Sequence, residues 1–549
     1  MNNHKRKLFR TAELLAILTK YGFQEILIQA NLKKPKEIEV PDEVVYENAQ
    51  VYERIRIAIE ELGTTFIKLG QTLSNREDLL PMALIVELKK LQDNVEPVDL
   101  DLRQTFLDEL GIVPEECFQS IETTPFASAS ISQVYRATLI DNTPVILKVK
   151  RPGIDEKVVA DLLLMKDIAK MLEANNKMFK KLHIRQVVAS FEKTILEELS
   201  LKNEQQNINQ FARNFEGVSS IHTLKAFSEF SSDKILCMEY VEGIKISNKE
   251  ALIAEGLNTV EVAKNGLDLY LMQVLEHGFF HADPHPGNIF VLSDGTICFI
   301  DFGSMGKLLT RDQEVLEDFV MNFIAKDAKR VIRAIKKIAI EVDIRSEVQL
   351  ERDLLEIFEL LNNESLADID IKMVLKRFSS VLNKNDVVMP EYVYLLIRGV
   401  VLIEGIGRGL DPKMNIVESI RPYIQKIVIR RLSPTYVFEK ITKSIRTMQD
   451  RMIDIPENMN EILSQLRNGK LKIQQEDKAL THSNREIANA LNRIAFALLI
   501  GGLYIASSVL IMADKPPKLF NFSILGMLGG LVSAVLTVVA LLSFFKKVK

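Results

Sequence analysis

Three cysteines in 549 residues, Cys117, Cys237 and Cys298, stand far apart, and two fall in apolar, strand-like stretches. They make neither a disulfide framework nor a zinc pattern, so a reducing compartment is expected. No run of lysine or arginine interleaved with aromatics occurs, and the formal net charge is −4, so no nucleic acid partner is expected. The N-terminus lacks an uninterrupted apolar core with a small-residue cleavage site, which argues against a secretory signal. Internal repeats and low-complexity tracts are missing. No proline lies between Pro286 and Pro390, and residues 308–450 read almost entirely as amphipathic helix.

What is present is unevenly spread. The length exceeds that of one core, and two or three domains are expected. Residues 1–36 carry eight lysines and arginines against two glutamates, with Leu14, Leu15, Ile17 and Leu18 at helical spacing. Such a segment suits either an anionic lipid surface or the flank of a folded body. At the other end, 494–512 holds nineteen residues without a charge and 519–545 holds twenty-seven. A bilayer needs about 20 apolar residues as helix, so a transmembrane helical hairpin is expected. Gly526, Gly529, Gly530, Ser533 and Ala534 would let its helices approach closely. Arg485, Arg493, Lys546, Lys547 and Lys549 flank it. The positive-inside rule then predicts a multi-pass protein of the cytoplasmic membrane, its body on the cytoplasmic side. The expected order is a basic segment (1–50), a helical extension (51–118), a small lobe (119–245), a large helical lobe (246–455), a stalk (456–493) and the hairpin (494–546).

The densest chemistry is Gly278-Phe-Phe-His281-Ala-Asp283-Pro-His285-Pro-Gly-Asn288, followed by Asp301-Phe302-Gly303. An acid, an amide five residues later and a second acid thirteen residues on is the spacing of protein-kinase-type phosphoryl transfer. There the first acid acts on the nucleophile, while the amide and second acid hold magnesium on the phosphates. Two short apolar strands, 288–292 and 296–300, surround a Ser293-Asp294-Gly295 turn and put the second acid at a strand exit. His277, His281 and His285 are spaced by four, but Pro284 and Pro286 keep them off one helical face, so zinc is not expected. His281 is expected to stabilise the loop.

Such a site also needs a strand lysine for the phosphates and a helical glutamate to hold it. Residues 132–138 and 144–149 alternate as strands around an Asp141-Asn142 turn. Lys148 and Lys150 share a face of the second strand; the Val-Ile-Leu run before Lys148 favours that residue. A strand over 234–241 ends at Glu242-Gly243, where a kinase hinge would fall. The Gly-x-Gly-x-x-Gly loop is missing, and Phe126-Ala127-Ser128-Ala129-Ser130-Ile131 stands in its place. Each Cβ there narrows the backbone freedom that glycine would allow. Ala282 replaces the arginine of His-Arg-Asp, and no Ala-Pro-Glu closes an activation segment. No peptide-docking platform is evident.

In this order, Lys68-x-Gly70-Gln71, the alanine-rich loop, His281-x-Asp283-x-x-Pro286-x-Asn288 and Asp301-Phe302-Gly303 resemble the UbiB/AarF/ADCK family of atypical kinase-like proteins, over residues 50–310. The resemblance implies an α+β, bilobal protein-kinase-like fold with an N-terminal helical extension and a C-terminal transmembrane helical hairpin. It implies ATP and Mg²⁺ as cofactors, with Lys148 on the nucleotide, Glu204 as its partner and Asn288 and Asp301 as metal ligands. Asp283 would act on the nucleophile, and Ala127, Ser128, Ala129 and Ser130 would cover the phosphates. Lys68 and Gln71 would fold across the active site, with Glu198 contacting Lys68. That closure implies water or a small, lipid-like acceptor. Two positions depart from the family: Ser200 stands where a second acid belongs, which would loosen the clamp on Lys68 or leave Glu197 to substitute, and Ser128 replaces a usual alanine. The implied role is ATPase or small-molecule kinase activity in ubiquinone biosynthesis. The implied partners are a membrane lipid bilayer, isoprenoid-quinone precursors and quinone-biosynthesis enzymes. An ATP-switched scaffold or lipid-handling protein is the alternative, and a conventional protein kinase is third.

Overall fold

The computed structural model describes residues 3–23, 51–74, 76, 80–91, 95–175, 183–342, 346–363, 371–385, 387–438, 440, 442, 497–512, 518–519 and 522–545. The expected stalk and the basic residues flanking the hairpin lie outside them. The chain divides into two compact units, Met1–Tyr436 and Val437–Lys549.

The first unit begins with α1 (Asn3–Lys20), α2 (Val51–Leu62) and α3 (Thr64–Leu73). A five-stranded sheet follows, made of β1 (Phe118–Ile121), β2 (Ala127–Ser128), β3 (Ser132–Leu139), β4 (Pro144–Lys150) and β5 (Ile235–Glu239). Its order is β1-β3-β4-β5, with β2 paired to β3, and every pairing is antiparallel. Alternation in β3 and β4 sends Tyr135, Ala137, Leu147 and Val149 into one core with Phe106 and Ile235. Asn142 turns the hairpin at φ 67°, a conformation asparagine tolerates. Between β4 and β5 run α4 (Ile154–Asn175), α5 (Ile184–Leu199) and α6 (Leu201–Asn214). Residues 95–101 are not helical, so beyond α3 the expected helical extension (51–118) is helical at Met82–Leu88, Leu102–Leu110 and Pro114–Cys117.

The apolar face of α1 is already spent on the protein. Leu14, Ile17 and the following Tyr21 and Phe23 are buried in one cluster with α2, α3, α4 and α5. Of the two expectations for this basic segment, the flank of a folded body is the one observed. Arg10 anchors it: its Nε lies 2.5 Å from Asp161 Oδ1, and Nη2 also donates to Leu62 O. Asp161 is fully buried, so removing one partner strands a charge. Asp161→Ala is expected to cost roughly 3–5 kcal/mol, whereas Lys20→Ala, at the half-exposed pair with Glu61, should cost about 1 or less. Urea denaturation midpoints of the two variants check this; equal shifts would contradict it.

The helical body opens with α7 (Thr259–Leu271), which runs into one π-turn, Met272–Glu276. The expected helical lobe begins at residue 246, ahead of this helix. Gly278, at φ 59°, ends the helix, and the freed chain pairs as β6 (Phe279–His281). The expected hairpin is present as β7 (Ile289–Val291) and β8 (Ile297–Phe299), with Ile297 opposite Val291. β9 (Met305–Lys307) returns antiparallel to β6 and so brackets the catalytic-type motifs. The long helices include α8 (Thr310–Ile324), α9 (Ala328–Ile338), α10 (Glu391–Leu410) and α11 (Ile416–Leu432). A sheet lobe with added helices, then a helical lobe, is the expected α+β arrangement. The three cysteines are free, and burial pushes the Cys237 and Cys298 thiols up to about 12.

In the second unit the expected membrane hairpin is corrected. Among the described residues no helix is long and apolar enough to cross a membrane. The first helix covers 497–512, about 24 Å of rise against a hydrocarbon core of about 30 Å. Part of the second uncharged run is used by a tight ladder pairing Lys518–Leu519 with Phe522–Ser523, so α12 (Ile524–Phe545) starts later than the run does. The expected hairpin rested on a count of uncharged residues. The multi-pass membrane location inferred from that count falls with it. The close-approach expectation fares better: a Cβ on Gly529 would stand 2.3 Å from Ser507 Oγ, and one on Gly526 3.0 Å from Ser507 O. Gly530 faces open space.

Candidate active site

β4, α6 and the Asp-Phe-Gly segment converge on one charged centre. Lys148 Nζ donates to both carboxylate oxygens of Glu204 at 2.8 Å and lies 3.6 Å from Asp301 Oδ1. The two lysines that the strand pattern left equivalent part here. Lys150 is taken by Asp155 at 3.0 Å and Asp233 at 2.8 Å. Burial works against the Lys148 ammonium, but Asp301 and Glu204 outweigh it and push its pKa up. Burial pushes the Glu204 carboxyl up, against the pull of Lys148. Lys148 holds Asp301 well below the usual carboxylate range against burial, helped by the Gly303 N–H donating at 3.0 Å. The Asp301 side chain is still 44% exposed, so a half-buried lysine keeps an accessible carboxylate ionised.

Helix α6 also grips the segment that carries this acid. Glu204 Oε1 accepts the Phe302 N–H at 3.4 Å, and Asn207 Nδ2 donates to Phe302 O at 3.0 Å. Phe302 itself is buried against Phe211 of the same helix. Ser200, the departure from the family pattern, starts α6: its hydroxyl accepts the Asn203 N–H and donates to Asp233 Oδ1 at 2.5 Å. It therefore belongs to the Lys150 cluster. Lys68 instead pairs with Glu198 at 2.5 Å, while Glu197 is exposed. Gln71 is not brought to these carboxylates; its Nε2 donates to Leu91 O at 3.2 Å.

The loop over the site is pinned by a residue that the motif reading missed. Arg151 donates from Nε to Ala129 O at 2.9 Å, and from Nη2 to Ser128 Oγ at 2.6 Å and Glu96 O at 2.8 Å. Its backbone N–H donates to Ile131 O at 2.9 Å. The serine at a usual alanine thus gains an acceptor role. Thr64, at the start of α3, contacts Ser130 O at 3.5 Å, and the Ala127 and Ser128 backbones pair with β3. Directly following Lys150, Arg151 could have been suspected as the strand's exit residue, but nothing in its spacing names the loop as its partner.

The Asp283 loop is held from both sides. His281 is buried, its backbone N–H donates to Gln273 Oε1 at 2.8 Å, and its Nδ1 accepts the Asp283 N–H at 3.2 Å. Burial lowers its pKa against Asp301 and Asp283, which favours the neutral ring needed for that acceptor. The expectation that His281 stabilises the loop is met by these bonds. Ala282 N–H donates to Ser304 O, and Asn288 O accepts the Ile300 N–H at 3.0 Å, one residue before Asp301. Asp283 Oδ1 lies 2.9 Å from Arg398 Nη2 of α10, a partner no motif announced.

The donor set suits magnesium on a nucleotide. Mg²⁺ takes one or two carboxylates and fills its octahedron with phosphate and water oxygens. Asp301 offers one accessible ionised carboxylate, and Asn288 contributes an amide oxygen type from the adjoining turn. Among the described residues no group of three or more His, Cys, Asp or Glu could hold a metal by itself.

Comparison with known proteins follows the same map. The ABC1 atypical kinase-like domain matches residues 90–335, the UbiB helical domain 354–415 and the ABC1/UbiB kinase-like C-terminal domain 478–546. A Shewanella loihica protein named probable protein kinase UbiB is 34% identical over 74% of this chain and 75% of its own length. The chain belongs to the UbiB family of atypical kinase-like proteins. A Xylella fastidiosa probable protein kinase UbiB is 29% identical over 92% of this chain and 94% of its own. A Clostridium pasteurianum protein, described as uncharacterized and in the hydrogenase 1 5′ region, is 30% identical over 98% of this chain and 99% of its own. Family membership makes the kinase-like fold the architecture of this chain, and the UbiB helical domain match includes α10.

Proposed function

We propose that this UbiB-family protein binds Mg²⁺–ATP between its sheet lobe and helical lobe and transfers or hydrolyses the terminal phosphoryl group. The observation that carries the reading is the Lys148–Glu204–Asp301 arrangement, a charged lysine beside an exposed, ionised acid. Lys148 would neutralise the phosphates while Glu204 fixes its direction. Asp301 and Asn288 would hold Mg²⁺, which supplies charge neutralisation between phosphates. Asp283 would orient the nucleophile. Lys68, paired to Glu198, and the neighbouring Gln71 belong to a segment that limits the acceptor to water or a small molecule. The family resemblance points the reading to phenolic precursors of isoprenoid quinones, with ubiquinone biosynthesis as the setting and its enzymes as partners. The test is radiolabelled ATP with the purified full chain, with and without isoprenoid phenols. Label in the organic phase or released phosphate supports the proposal; neither, with ATP bound, overturns it.

An ATP-switched scaffold is favoured by one observation, the pairing of Asp283 with Arg398, which occupies the acid. A conventional protein kinase has no such support, given Ala282 and the Lys68 segment.

The alanine-rich loop yields a further expectation. Ala129→Gly should shift the ratio of ATP to ADP affinity and raise self-phosphorylation, because it frees a backbone whose carbonyl Arg151 holds. Lys68→Ala should add to the labelling by loosening the covering segment. Nucleotide titrations and phosphate incorporated per chain check both; unchanged preference and no labelling would reduce the loop to packing.

A further inference from the structure

Helix α10 lies in the matched UbiB helical domain, and three of its side chains reach three separate parts of the site. Glu391, Tyr394 and Arg398 are spaced i, i+3 and i+7, so they share one helical face. Glu391 accepts from the Ser190 hydroxyl and, at 3.3 Å, from the Thr194 hydroxyl, both on α5. Tyr394 receives the Arg76 guanidinium 4.5 Å from its ring centroid, and Arg76 lies just past α3. Arg398 reaches Asp283. On α5, Ser190 and Thr194 stand about two turns and one turn before Glu198, the partner of Lys68 on α3. The contacts close a circuit: α3 to α5 through Lys68–Glu198, α5 to α10 through Glu391, α10 to the chain after α3 through Tyr394–Arg76, and α10 to the loop acid through Arg398.

We infer that Arg398 is the positioning residue for Asp283, and that the Glu391–Tyr394–Arg398 face of α10 carries it into the site. Ala282 leaves the loop without the arginine that its protein-kinase counterpart has next to the acid, and Arg398 supplies a guanidinium from another part of the chain. The Arg398 side chain is 33% exposed and that of Asp283 35%, so neither is a core residue. An ion pair at that place restricts the carboxylate rotamer and aims its second oxygen toward an acceptor hydroxyl. The circuit also couples the covering segment to the acid, since both are tied to α5 and α10.

This inference rests on the phosphoryl-transfer reading, and the test separates the two. The full chain is compared as wild type, Arg398→Ala and Arg398→Gln with Mg²⁺–ATP. Arg398→Ala should lower kcat roughly 100-fold, the scale of a misplaced catalytic group, with KM for ATP changed by about threefold or less. Millimolar guanidinium ion should restore part of that rate, and sodium at equal ionic strength should not. A kcat within about threefold of wild type in either variant, or a loss that guanidinium fails to restore in both, overturns the inference. Melting of Asp283→Asn, Arg398→Gln and the double variant reads the pair without turnover. Shifts that fall short of additivity support it, and strictly additive shifts overturn it. Absence of turnover in the wild type sinks the functional reading alone, and the melting cycle still decides the contact.

Discussion

Asp283→Asn is expected to lower ATP turnover about 10²- to 10⁴-fold while the affinity for Mg²⁺–ATP stays within about threefold. The asparagine keeps the size of the side chain, the backbone N–H bond to His281 Nδ1 and a carbonyl oxygen for Arg398. What it loses is the charge that acts on the nucleophile, and that contribution belongs to the transition state more than to the ground state. Among the described residues the Asp283 side chain pairs with Arg398 and not with Lys148, Glu204 or Asp301, so nucleotide contacts should survive. Rapid-quench turnover beside nucleotide titration separates the effects. Turnover equal to wild type would move the scaffold reading ahead, and a parallel collapse of binding would mean that the loop, not the acid, had failed.

Asp301→Asn should act in the opposite sense, on binding. Asp301 is the accessible carboxylate of the site, and its amide would leave Mg²⁺ without its anionic protein ligand, a loss of several kcal/mol or at least about 100-fold in Mg²⁺–ATP affinity. In EDTA the wild type and the variant should bind ATP alike. The pH dependence has a definite sign. A carboxyl held below its ordinary range remains ionised as pH falls through the ordinary range and is lost only when pH reaches its depressed value. Mg²⁺-dependent binding should therefore persist at pH 5. Equal affinities with and without Mg²⁺, or a sharp loss of the metal effect between pH 6 and 5, would remove Asp301 from the metal.

The parts of the site that sit in short, contiguous motifs were legible in the sequence. The turn at Gly295 and the alternation on either side place Asp301 at a strand exit, and the observed β7–β8 register agrees. Lys148 was favoured by the Val-Ile-Leu run before it, since period-two alternation alone cannot tell which lysine meets a glutamate from α6. What could not be read were contacts made across long stretches of chain. Arg151 on the loop, Arg398 on Asp283 and Arg10 on Asp161 carry no spacing signal, since tertiary packing alone brings their elements together. Ser200 was read against a family pattern as a weakened clamp, yet its hydroxyl caps α6 and serves Asp233. The C-terminal expectation failed for a different reason. It rested on a count of uncharged residues, and such a count does not show that Lys518–Leu519 pairs with Phe522–Ser523 before α12 begins.

The central claim is that the Lys148–Glu204–Asp301 centre binds Mg²⁺–ATP for phosphoryl transfer. It is tested most directly by a single-turnover reaction, with the full chain in excess over γ-labelled ATP, run in Mg²⁺ and in EDTA. The account predicts complete, Mg²⁺-dependent loss of the γ-phosphoryl group from bound ATP in the wild type and its retention in Asp283→Asn. ATP that stays bound and intact in the wild type through many times the dissociation time, with Mg²⁺ present, would contradict it.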